Sequence, residues 1–185
     1  MKTLAVTLFV FFSFTLKAQL DIDTTLSKKE LVYKVLMSES SDMLIRNIKY
    51  RGSDFSIASF VNESPEVLID KGLILSTGDV FDAMGPNKKP NTGVRASGMR
   101  DQDLQSIATS IVIDATVLEF EILALRDSLS FEYVFASEEY PEYVNQGVND
   151  VFGFFVKELN SRALSPHNIA LLDDGRTTVS IDNVN

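Results

Sequence analysis

The chain has 185 residues, 45% of them apolar and 23% charged, which is enough material for one globular domain with a core of its own once any targeting peptide is set aside. Its formal charge of −9 opposes nucleic acid and anionic lipid and favours cations or basic partners. It contains no cysteine and a single histidine, His167, so thiolate zinc centres, cysteine nucleophiles and imidazole metal clusters are excluded.

Residues 1–19 have the pattern of a secretory signal. Lys2 supplies a basic start, Leu4 to Phe14 form an apolar run broken only by Thr7 and Ser13, and Ala18 offers a small residue for cleavage. The apolar stretch is shorter than the roughly 20 residues of a spanning helix, and Lys17, Asp21 and Asp23 close it. A mature chain is expected to begin near Gln19 or Leu20, to carry a charge near −11 once Lys2 and Lys17 are removed, and to be secreted or held at the outer cell surface. No later segment is apolar enough to insert in a membrane, and no anchor or sorting segment is recognisable.

Ser27 followed by Glu30 has capping-box spacing, and Leu31, Val35 and Leu36 recur at helical intervals, so a short N-terminal helix is expected over about Lys28 to Met37. Short β-rich runs separated by turn residues follow. They are Met43 to Tyr50, Phe55 to Val61, Gly72 to Thr77, Thr116 to Leu123, Ser128 to Ala136, Val151 to Val156, Asn168 to Leu172 and Thr177 to Ile181. Alternation is clear in two of them, where Leu118, Phe120 and Ile122 share one face and Leu129, Phe131, Tyr133 and Phe135 another. A hairpin centred on Ala124 to Ser128 is the economical connection between those two. Asp101 to Ala108 is expected as a second short helix, and Gly78 to Arg100, rich in glycine and proline, as a long surface loop. The fold class that emerges is mainly β, an antiparallel, jelly-roll-like β-sandwich with a short N-terminal helix.

Four blocks carry a resemblance to a known family. They are KGLILSTGD from Lys71 to Asp79; Gly85, Pro86 and Asn87; FEYVFASEEYPEY from Phe131 to Tyr143 continued by NDVFGFF from Asn149 to Phe155; and NIALL from Asn168 to Leu172 with VSIDNVN from Val179 to Asn185. Together they resemble the choice-of-anchor L domain of secreted bacterial proteins, over roughly Leu31 to the end. The resemblance implies a domain, residues 20–185, of surface proteins, many from Bacteroidota, that join it to varied anchoring segments. It implies no established chemistry. Three steps depart from the family pattern. Ser40, Ser41 and Asp42 stand where many relatives have a Gly-Cys step, Val144 to Gln146 lack a cysteine found after the Pro-Glu-Tyr step, and Asp173 to Arg176 replace a Pro-Gly-Thr turn. Since relatives continue past the Val-Asn step, the domain is expected to be incomplete at its C-terminal end, the alternative being a short form that pairs its edge with another chain.

Oxygen donors concentrate at Glu138, Glu139, Glu142, Asn149 and Asp150, and Asp79 could add another, so calcium is a candidate cofactor. Against it stands a solvated acidic loop in which Asn149 and Asp150 simply cap a turn. Tyr140 and Tyr143 flank Pro141 and, with Asn87, are candidates for ligand contact. Phe152 and Phe154 are better read as core than as a sugar platform. The functional surface is expected where the Gly78 to Arg100 and Ala136 to Asp150 loops meet. The leading expectation is a non-catalytic adhesion or recognition module for an extracellular glycan or protein, in a calcium-assisted form or without the ion. A carbohydrate-active hydrolase using Glu139 and Asp150, or a purely structural spacer, are the alternatives. Ser76 and Thr77 lack a nucleophile elbow, and His167 has no evident acidic partner in the sequence.

Overall fold

The computed structural model describes residues 20–37, 43–62, 68–85, 93, 98–137, 143–147, 149–160 and 165–184. The expected signal segment, and Asn87, Glu138, Glu139, Tyr140 and Glu142, lie outside the described residues.

The described chain is mainly β and its strand pairs are all antiparallel. Strand β1 (Leu20–Asp23) pairs with β3 (Ile57–Asn62), and β3 pairs with β4 (Lys71–Leu75), giving a three-stranded sheet in the order β1-β3-β4. Ile22, Ala58 and Val80 are buried on one face of it, packed by Leu20, Phe60, Ile74 and Met84. Strand β2 (Met43–Arg51) pairs with β5 (Val117–Ala124). Two further ribbons join β6 (Val151–Phe152) to β9 (Val179–Ser180) and β7 (Phe155–Val156) to β8 (His167–Asn168). These four sheets do not close on one another, so pairing establishes the antiparallel β class and stops short of the jelly-roll-like sandwich expected from the sequence.

The N-terminal helix is where the capping box puts it. Ser27 Oγ accepts from the Glu30 N–H, and the Glu30 carboxylate accepts in return from the Ser27 N–H at 3.0 Å. Only α1 (Lys28–Glu30) is α-helical; Leu31–Leu36 continue as a π-helical turn, closed by the Met37 N–H donating to the Val32 carbonyl at 3.1 Å. The wider turn narrows the angle between successive side chains, so neighbours Leu31 and Val32 are buried together, at 1% and 0% exposure.

The second helix, α2 (Gln102–Ile107), also forms as expected, with Asp101 as its N-cap through the Leu104 N–H at 3.0 Å. The Phe155 ring lies over Gly153 so closely that a Cβ there would displace it, and the tip of Ile107 from α2 packs beside them. Within the Gly78 to Arg100 stretch, residues Val80–Met84 form a 3-10 helix, a local order that the count of glycines and prolines concealed.

The hairpin expected at Ala124 to Ser128 does not form. Strand β5 takes β2 as its partner, and Ser128 to Ser137 form no strand ladder. What holds that segment is side-chain packing: Phe131 meets Phe154 edge-on at 5.0 Å between centroids, and Tyr133 lies against Phe152 at 4.9 Å. Phe131, Phe135 and Phe152 are half-buried while Leu129 and Tyr133 are exposed, so the expected apolar face is covered only in part. Val151 to Val156 is two short strands rather than one because Asn168 Oδ1 accepts from the Phe154 N–H at 3.0 Å and from the Ala170 N–H at 3.1 Å, which interrupts the ladder. At the departure from the family turn, Asp174 accepts from the Arg176 and Thr177 N–H groups and Gly175 adopts φ 65°, closing a tight reversal from Leu172 to Thr177.

Candidate functional site

Strand β2 is irregular in its middle. Arg46 faces Glu121 and Lys49 faces Glu119, so three steps along β2 match two along β5, and the extra residue makes a bulge. Asn47 takes up the difference in the left-handed region, at φ 54°, a conformation asparagine tolerates better than most residues. The bulge is pinned from the facing strand. Glu121 is held below the usual carboxylate range by hydrogen bonds from the Asn47 side chain and from Arg46, whose guanidinium lies 2.7 Å away.

The first helix lies against this bulge. Tyr33, on the π-helical turn, donates its hydroxyl to the Ile45 carbonyl at 2.7 Å, and Tyr50 donates to the Ser53 carbonyl at 2.5 Å. Burial, and then the negative charge of Asp54, push the Tyr50 phenol up to about 12. Between helix and strand is an open depression of about 520 Å³ lined by Lys28, Lys29, Tyr33, Arg46, Asn47, Ile48 and Tyr50. Lys28 Nζ sits 5.3 Å from the Tyr50 ring centroid and Lys29 Nζ 5.8 Å from that of Tyr33. Each ammonium is thus held on an aromatic face by an attraction of about 0.5–1 kcal/mol. Lys28 also pairs with exposed Asp54 at 3.1 Å. Among the described residues three cations line the depression and no carboxylate does, in a chain whose overall charge is −9.

Sequence reasoning passed over this surface. The available signal was local: residues 28–51 hold six basic and three acidic residues, with Tyr33 and Tyr50 interleaved, against an acidic whole. Only the fold shows that the helix and the strand put these groups around one concavity.

Of the residues expected to form a site, Asp79, Tyr143, Asn149 and Asp150 are among the described residues. Asp79 caps the 3-10 helix, accepting from the Phe81 N–H at 2.9 Å. Asn149 ties three segments together: its amide donates to Thr109 Oγ1 at 3.0 Å just past α2, and its carbonyl oxygen accepts from the Asp182 N–H at 3.2 Å. Asp150, next to it, receives the Ile181 N–H on its backbone carbonyl at 3.1 Å, and Asp182 in turn accepts from the Asn145 N–H at 2.7 Å. Tyr143 is half-buried at the start of the turn that presents Asn145. Asn149, Asp150 and Asp182 are therefore brought together, and Asp182 is a member of that group the sequence did not single out. Among the described residues no group of three or more His, Cys, Asp or Glu could hold a metal ion.

A sequence profile of the choice-of-anchor L domain matches residues 19–185, essentially the whole chain. The chain belongs to the choice-of-anchor L domain family. No curated protein and no solved structure matches it. Membership points to a surface-associated module, and the choice-of-anchor L family is not a known enzyme family. Among its described residues no helix is long and apolar enough to cross a membrane.

Proposed function

We propose that this choice-of-anchor L domain is a non-catalytic recognition module, presented outside the cell, that binds an extracellular glycan or protein. The observation that carries the reading is the shape and chemistry of the depression between α1 and β2. It is open, and among the described residues no carboxylate lines it, whereas acid–base catalysis uses an enclosed cleft with acids whose titration is displaced for proton transfer. The acids of the described residues that depart from ordinary behaviour, Asp23, Glu30, Asp101, Glu121 and Asp174, are all shifted downwards, by caps, turns and ion pairs, as structural carboxylates are.

The test is a binding screen of the purified chain against extracellular polysaccharides and surface-protein extracts, with release of reducing ends followed in the same samples. Saturable binding without release is expected. Turnover of any polysaccharide, or binding to nothing in the screen, overturns the reading. Thermal melts in calcium and in chelator belong to the same experiment, because an ion held by Asp150 and its neighbouring acids raises the stability of the native state by mass action.

A further inference from the structure

We propose that the depression between α1 and β2 binds an acidic polysaccharide, one that carries carboxylate or sulfate groups along its length. The proposal rests on the recognition reading above and adds a place and a ligand class to it.

The first argument is charge. Lys28, Lys29 and Arg46 line the depression, and two of the three are partly neutralised, Lys28 by Asp54 at 3.1 Å and Arg46 by Glu121 at 2.7 Å. Lys29 has no carboxylate partner among the described residues, and the Tyr33 ring holds its ammonium in place. It is the cation left to meet a ligand anion. Asp54 and Glu121 act at contact distance on Lys28 and Arg46, whereas exposed acids farther off than a Debye length of about 8 Å at physiological ionic strength are largely screened.

The second argument is the backbone. The ladder between β2 and β5 gives Asn47 and Ile48 no partner on β5, and both residues line the depression. The Asn47 amide and the Tyr33 and Tyr50 rings, set among the cations, match the mixed hydroxyl and carboxylate or sulfate groups and the apolar ring faces of an acidic sugar. A β-bulge and a π-helical turn, both features that recur beside functional sites, meet at this one concavity.

The third argument is shape. The depression, about 520 Å³ and open to solvent, has room for one or two units of a polymer lying across it. An extended acidic peptide would prefer a regular strand edge, which the bulge interrupts.

The experiment is titration calorimetry with amide chemical-shift mapping of the intact chain. The probes are an oligogalacturonate as the carboxylate glycan, a heparin oligosaccharide as the sulfate glycan, a cello-oligosaccharide as the neutral control and poly-glutamate as the acidic peptide. Binding of one or both acidic glycans is expected, weakened by salt, with shifts at Tyr33, Asn47, Ile48 and Tyr50 and none with the neutral sugar. Lys29→Arg should retain affinity, and Lys29→Glu should lose about tenfold or more, as reversal of a contacting charge does. Failure of both acidic glycans to bind, shifts that map elsewhere, or poly-glutamate binding as tightly as the glycans overturns the proposal. Lys29 is exposed, so its variants should melt with the parent; if Lys29→Glu does not, Lys29→Gln and the shift map decide. Acidic glycans that bind Lys29→Glu unchanged refute this site and leave the recognition reading standing. That reading falls only with the wider screen.

Discussion

Asp101 gives the sharpest quantitative test of how this fold is held. Its side chain is 8% exposed, one carboxylate oxygen caps α2 through the Leu104 N–H, and the other meets Arg51 at 2.7 Å, tying the end of β2 to the start of the helix. A helix of six residues has little stability of its own, so its cap matters. Replacing the residue by alanine removes a cap worth about 0.5–2 kcal/mol. It also removes an ion pair worth roughly 0.2–1 kcal/mol, since Arg51, 47% exposed, regains water when the carboxylate leaves. Asp101→Ala should therefore cost about 2 kcal/mol, which for a chain of this size is roughly 4–8 °C in Tm. Asp101→Asn keeps a cap of equal quality and should cost less than half as much. Burial raises the Asp101 carboxyl, but the hydrogen bonds from Leu104 and Arg51 outweigh it and leave it below the ordinary value. Its stabilising contribution is therefore complete above the unfolded value of about 3.9 and is lost as pH falls through the lower folded value. The gap between parent and Asp101→Ala should be constant near neutrality and should close in acid below about pH 4. Urea unfolding followed by circular dichroism measures both effects. An alanine variant within about 0.5 kcal/mol of the parent, or an asparagine variant as unstable as the alanine one, would refute the cap-and-tie account.

Two other perturbations probe different parts of the molecule. Ile181 is fully buried where β9 ends against Asp150, so Ile181→Ala should cost about 2–5 kcal/mol in urea unfolding; a loss under about 1 kcal/mol would show that no core exists at that junction. Tyr50, pushed up to about 12, should gain phenolate absorbance near that pH, identified by difference from Tyr50→Phe. Because burial and Asp54 favour its neutral form, the associated stability is intact below about pH 10 and lost as pH rises through 12, and Asp54→Asn should bring the titration down. Ionisation of Tyr50 at the free phenol value of about 10 would contradict its placement.

Much of the local structure was legible before the fold. The Ser27 and Glu30 pair announced the first helix, Asp101 announced the second, and the runs that became β2 to β5 were each located to within about two residues. The match to the choice-of-anchor L family rests on blocks visible in the same string. Of the expected oxygen cluster, Glu138, Glu139 and Glu142 lie outside the described residues, while the Asn149 amide is committed to Thr109 and Asp182 and the Asp79 carboxylate to a helix cap. Short polar side chains that satisfy nearby backbone read in sequence just like ligand donors.

What the sequence determined by itself, then, is the kind of element that β2 to β5 and the two short helices form, because capping, alternation and turn chemistry act between residues a few positions apart, whereas the Ser128 to Ala136 run, alternating in the same way, forms no ladder. Which segments meet was decided only by the tertiary structure. Strand β5 chose β2, some 70 residues away, over the adjacent run that the hairpin would have used, with Arg46 matched to Glu121 and Lys49 to Glu119 across the pair. The bulge at Asn47, the π-helical turn that buries Leu31 beside Val32, and the basic depression between them exist because a strand and a helix were fitted to each other. Burial and charge pairing are satisfied through space, and distance along the chain carries no record of them.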